Sequence, residues 1–109
     1  MQIFKQLSKK RYKHYYDGTI EELDNMDRNS PNLHSELMQV VMWLYKKHSL
    51  WIIIIPTVTG NFAYKVIDVQ LNPEKVIERP PYKDVSAEDF SEPTDAYLGA
   101  IEDILNNLI

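Results

Sequence analysis

Metal binding or proton transfer in this 109-residue chain would fall first to its histidines, His14, His34 and His48. His34 and His48 lie 14 positions apart on what reads as one helix. That is about 21 Å at 1.5 Å per residue, so one ion cannot hold both. His14 stands among lysines and tyrosines, and no HExxH-type pair occurs. Exposed or capping roles are therefore expected for all three. With no cysteine, thiol catalysis, Cys-ligated zinc and a disulfide scaffold are excluded. A Ser–His–acid site has no nucleophile elbow to build on. Gly18, Gly60 and Gly99 are isolated, so no glycine-rich loop can cradle a phosphate. Asp24 to Asn29 is rich in oxygen ligands but lacks the glycine and distal glutamate of a calcium loop, which leaves a solvated turn. Asp84, Glu88, Asp89, Glu92 and Asp95 could supply a glycosidase-like carboxylate pair or a magnesium site, yet no partner base accompanies them. No catalytic, metal-binding or cofactor-binding set is expected, and the chain reads as non-catalytic.

The residues best suited to contact a partner are basic and aromatic: Lys5, Lys9, Lys10, Arg11, Tyr12, Lys13 and Tyr15. Charge is sorted along the chain. Residues 1–16 hold five bases and no acid, 17–27 five acids and no base, and 84–109 seven acids and no base. Residues 28–83 are net +3, and the whole chain is −4. Nucleic-acid contact through residues 5–15 would set the bases on phosphates and stack Tyr12 and Tyr15 on nucleobases. Five phosphate contacts give a log–log salt slope of roughly −4.5 on duplex DNA. An acidic protein repels phosphate over most of its surface, however. The plainer expectation is that the basic arm folds back on an acidic face of its own or a neighbouring subunit. Exposed tyrosine beside lysine or arginine equally marks a protein interface.

The rest of the chain must position these residues. It is 44% hydrophobic and 26% charged, enough for one domain around a single core. No apolar run approaches the roughly 20 residues of a membrane span, Trp51 to Ile55 being only five long, so no membrane association is expected. The basic start is followed by Tyr, His and acids and not by an apolar segment, so no secretory signal is read there. With no cysteine, this fits a cytoplasmic protein.

Phe4, Leu7, Tyr12, Tyr15 and Tyr16 sit at loosely helical spacing, so residues 1–18 form a basic arm or helix, and 19–109 the α+β core. Asp17-Gly18 breaks the chain, and Thr19-Ile20-Glu21-Glu22 reads as a capping box opening a short helix. Ser30-Pro31 starts a helix over 31–48 with Leu33, Leu37, Val40, Val41 and Leu44 on one stripe. Met38, Met42, Trp43 and Tyr45 widen that stripe, which predicts a largely buried helix, and Lys46, Lys47 and His48 meet its negative end. Its apolar girth also exceeds what a small domain readily covers, and such a surplus favours a partner. Leu50 to Val58 and Asn61 to Leu71 read as a β-hairpin around Thr59-Gly60-Asn61, with Pro56 requiring a sheet edge or bulge. Trp43, Tyr45, Trp51 and Tyr64 are expected in the core or at its edge. Asn72-Pro73 turns again, Lys75 to Glu78 forms a short third strand, and 80–92 is an acidic loop pinned by Tyr82, Val85 and Phe90. Pro93 opens a last helix, capped by Ser91 or Glu92, with Ala96, Tyr97, Ala100, Ile101, Ile104, Leu105 and Leu108 on one face. The order α-α-β-β-(β)-α is that of a single α+β domain, a small antiparallel sheet packed against helices.

Met42-Trp43-Leu44 before a hydrophobic strand, Pro80-Pro81-Tyr82, and the closing Pro93, Ala96-Tyr97, Ala100-Ile101, Leu105 and Asn107-Leu108-Ile109 are similar to small proteins of phages and integrated mobile elements of gut anaerobic bacteria. The likeness spans residues 31–109 and leaves the basic arm outside. The shared residues look like core and cap positions, so the resemblance implies a provenance and supplies no mechanism. The order α-β-β-β-α over the same span also resembles a double-stranded-RNA-binding domain. Such domains carry lysines at the start of the last helix, where this chain has Glu92-Pro93-Thr94-Asp95. The reading is an accessory protein acting through protein–protein contacts, with a protein partner or a homodimer; the alternative is nucleic-acid binding through the basic arm.

Overall fold

The computed structural model describes residues 2–69 and 90–109 and the backbone of residues 77–78. In chain order the elements are α1 (Ile3–Lys9), α2 (Ile20–Asp24), α3 (Pro31–His48), β1 (Leu50–Pro56), β2 (Phe62–Asp68), β3 (Ile77–Glu78) and α4 (Pro93–Asn107). This is the expected α+β arrangement. The strands form one antiparallel sheet in the order β1–β2–β3; of the expected third strand Lys75–Glu78, the described residues are Ile77 and Glu78, and both are strand. The turn at Asn72-Pro73, the loop residues Tyr82 and Val85, and the acids Asp84, Glu88 and Asp89 lie outside the described residues.

Local chemistry explains the element boundaries. The capping box is complete: Thr19 Oγ1 accepts from the Glu22 amide at 3.1 Å, and Glu22 Oε1 accepts from the Thr19 amide at 3.0 Å. Asp24 serves no solvated turn. Its carboxylate accepts the Phe4 and Lys5 amides at 2.7 and 3.2 Å, so the end of α2 caps the start of α1. Ser30 and Glu92 occupy the N-cap positions of α3 and α4 but make no side-chain cap bond, so Pro31 and Pro93 carry the start signal. Pro56 ends β1, which is an edge strand, so its missing N–H breaks no ladder.

The register Ile52↔Val66 and Ile54↔Tyr64 puts Leu50, Ile52, Ile54, Tyr64 and Val66 on the sheet face toward α3 and α4. Tyr64 Oη donates to Asp103 at 3.0 Å, tying β2 to α4. The core cluster runs from Ile3, Phe4, Leu7 and Tyr12 through Leu33, Leu37, Val40 and Leu44 to Ile101 and Ile104. Of the two expected forms of residues 1–18, arm or helix, a helix is present at Ile3–Lys9, and its Ile3, Phe4 and Leu7 belong to the core against α2 and α4. Two expectations about packing are corrected. Leu98 joins the buried face of α4, although it lies off the periodic stripe. Met38, Met42, Tyr45 and Trp51 are exposed, because the sheet and α4 cover only one side of α3.

Candidate functional site

Three surfaces stand out, and the residue that links two of them is Glu36, only 2% exposed. It sits one turn after Leu33 and one before Val40, an acid beside the apolar stripe, and that placement is the signal the sequence offers for it. Its carboxylate accepts the Tyr12 hydroxyl, the Tyr15 amide at 3.0 Å and the Tyr16 amide at 2.7 Å. Burial, and then the bond to Glu36, pushes the Tyr12 phenol well above its ordinary pKa. Tyr15, Tyr16, Asp17, Asn32, Ser35 and Glu36 line an open cleft of about 430 Å³. The carboxylate at its base holds three donors, so it clamps residues 12–16 onto α3.

The sequence-derived contact residues fall into two groups. Tyr12 is 4% exposed and buried against Trp43, so it cannot stack on a ligand; it positions the segment instead. Lys5, Lys9, Lys10, Arg11 and Lys13 are all exposed, and Tyr15 is 72% exposed at the rim of the Glu36 cleft. Among the described residues, none of these five bases has an Asp or Glu carboxylate within ion-pair distance. Lys10 Nζ donates to the Ile109 carbonyl at 2.7 Å, at the end of the chain beyond α4. The chain leaves α1 through a left-handed Arg11, φ 72°, with the Arg11 amide on Ser8 O and the Tyr12 amide on Leu7 O. That bond pattern is a Schellman motif, in which glycine is the usual left-handed residue.

Residues 10–13 meet the last turn of α3. The Tyr12 and Trp43 rings are 5.4 Å apart edge-on, and Trp43 and His48 are 5.0 Å apart. Burial, and secondly Lys10, lowers the His48 pKa. Lys46 and Lys47 follow Trp43 by three and four positions, so they share its face of the helix. Sequence reasoning alone assigns them only to the helix dipole.

The third surface is apolar. Met38, Met42 and Tyr45 are 41–45% exposed and follow each other by four and three positions on the outer side of α3. The Tyr45 ring meets Trp51 edge-on at 5.5 Å. Met42, Tyr45, Trp51 and Val69 line a shallow groove of about 360 Å³, and none of these described lining residues is charged. Ile53 and Ile55, half-buried on the same sheet face as Trp51, extend it along β1.

Two of the three histidines are held by carbonyls. His14 Nε2 contacts Gly18 O at 3.0 Å, and His34 Nε2 contacts Arg28 O at 2.7 Å and Thr94 Oγ1 at 2.9 Å. No group of three metal-ligating side chains occurs among the described residues. No described helix is long and apolar enough to cross a membrane. At the start of α4, where a double-stranded-RNA-binding domain would present lysines, Asp95 pairs with Arg28 at 3.2 Å beside Glu92. No protein-family model, curated protein or solved structure matches the chain.

Proposed function

We propose that the protein is a non-catalytic accessory factor that acts through protein–protein contacts, and that the outer α3–β1 face joins a second copy of the chain. The reading places it in the cytoplasm, in keeping with the lack of cysteine, and in the phage or mobile-element setting implied by the resemblance. The observation that carries it is the stripe Met38, Met42, Tyr45 with Trp51 beside it, a second apolar side on a helix whose core side is already filled.

A second copy fits this surface for two reasons. The described residues that line the groove carry no charge, so two copies meet there without the like-charge repulsion that a net charge of −4 imposes elsewhere. It also pairs flexible thioethers with rings, so the methionines of one copy can pack on Tyr45 and Trp51 of the other in an isologous contact. Met38, Met42, Tyr45 and Trp51 are 36–45% exposed, so they offer less than half of their side-chain area. A standard interface buries about 800 Å² per partner, so these four form its centre, and Ile53, Ile55 and a polar rim must add the remainder. That size predicts a dissociable dimer.

Sedimentation velocity from low to high micromolar concentration tests the reading. The expected result is a weight-average mass rising from monomer to dimer, with Met42→Glu/Tyr45→Glu held monomeric and its far-UV circular dichroism unchanged. A wild-type protein that stays monomeric at the highest concentration overturns it.

A further inference from the structure

We propose that Lys9, Arg11 and Lys13, at the end of α1, and Lys46 and Lys47, at the end of α3, form one surface that binds the phosphate backbone of a nucleic acid. The inference is independent of self-association through the other side of α3.

Contiguity is the first argument. The edge-on contact of Tyr12 with Trp43 brings the 9–13 segment against the side of α3 that carries Trp43, Lys46 and Lys47. Glu36 fixes this juxtaposition from beneath by holding the Tyr12 hydroxyl and the Tyr15 and Tyr16 amides. Charges far apart in sequence thus share one rigid face.

These bases are also not spent inside the molecule. None has a carboxylate partner among the described residues. A helix-dipole role accounts for Lys46 and Lys47. It does not account for Arg11, which holds a left-handed backbone that glycine would adopt without strain. An exposed, unpaired arginine at that position indicates that the side chain itself is used.

Nucleic acid is favoured over an anionic membrane by what lies between the cations. Trp43 and His48 are half-buried rings there, able to meet a base, and the exposed methionines, Tyr45 and Trp51 needed to enter a bilayer belong to the other surface. The acidity of the rest of the chain confines contact to this corner.

The test is fluorescence anisotropy of the full chain with a labelled duplex and a labelled single strand across a salt series. Five contacts give a log–log slope of roughly −4.5 on the duplex and roughly −3.5 on the single strand. Lys46→Gln/Lys47→Gln is expected to flatten the duplex slope by about 1.8, and Arg11→Gly by about 0.9. Arg11→Gly should also raise the melting temperature, which separates lost binding from lost folding. Trp51→Phe leaves Trp43 as the sole tryptophan, whose emission should change over the same concentrations as the anisotropy. Absence of binding at low salt, a slope unmoved by Lys46→Gln/Lys47→Gln, a silent Trp43, or tighter binding to phosphatidylserine vesicles than to either nucleic acid would each overturn the proposal.

Discussion

Glu36 and Tyr12 show how one buried carboxylate can be tolerated when both of its oxygens have donors. The carboxylate takes a phenol and two amides, and the phenol in return is shielded from water. Removing the acid orphans three donors, whereas removing the phenol leaves the acid two amides. Glu36→Ala should therefore cost about 3–5 kcal/mol and Tyr12→Phe about 1–3 kcal/mol, read from urea midpoints. The pair also predicts an alkaline signature. Tyr12 has its folded pKa raised above the unfolded value of 10, first by burial and then by Glu36. Its contribution is complete below pH 10 and is lost as pH rises beyond it, because the unfolded chain ionises while the folded phenol does not. The decline reaches up to about 1.4 kcal/mol per pH unit for one such group. Tyr12→Phe should lack that part of the decline. Tyr16, also raised by desolvation and Glu22, is present in both proteins and cancels from the comparison. Equal alkaline slopes in the two proteins would exclude this role for Tyr12.

Elements whose signals are local are legible in the sequence. Thr19 and Glu22 make their reciprocal bonds across three positions, Pro31 and Pro93 start their helices, and the alternation in β2 sets its register against β1. What is not legible depends on chain distant in sequence. Asp24 reads as part of a polar turn because its partners, the Phe4 and Lys5 amides, are about twenty positions away. Met42 and Tyr45 read as core because a hydrophobic stripe does not reveal how much of it a neighbour covers. Two glycines illustrate the same contrast. Gly60, φ +86° at the hairpin tip, has nothing within 4 Å of where a Cβ would stand, so its requirement is purely backbone. Gly60→Ala should cost about 1–2 kcal/mol, with Gly60→Asn recovering most of it. Gly99 lies within α4, where alanine is ordinarily favoured, yet its Cβ would stand 2.7 Å from Phe90 Cζ. Phe90 is fixed by two 2.7 Å main-chain bonds to Phe62, so Gly99→Ala should destabilise, and Gly99→Ser should not relieve it. Thermal denaturation of the four variants checks both assignments; a stabilised Gly99→Ala would show that Phe90 is free to move away.

At the scale of the molecule, the N-terminal segment is where charge and packing pull a sequence reading in opposite directions. Five bases without an acid look like a detachable arm, and the apolar spacing of Phe4, Leu7 and Tyr12 is too loose to contradict that. Its function in the fold becomes visible only when α2 and α4 are placed against it. Ile3, Phe4, Leu7 and Tyr12 are then all buried in the one core. At about 1.5–3 kcal/mol per fully buried large apolar side chain, these four contribute roughly 6–12 kcal/mol before the entropy of ordering the segment. A domain of this size has about 5–15 kcal/mol of net stability, so loss of the segment is comparable to the whole margin. Deleting residues 1–17 also strips Glu36 of all three donors and uncovers the Trp43 ring that Tyr12 packs against. The truncated chain should therefore lose its cooperative thermal transition and the dispersion of its amide proton spectrum, and should not behave as an intact core lacking a tail. A sharp melt with a well-dispersed spectrum would mean that α1 is an appendage after all. Because the same segment carries Lys9, Arg11 and Lys13, its effect on binding can be separated from its effect on folding only by substitutions that keep Ile3, Phe4, Leu7 and Tyr12 in place.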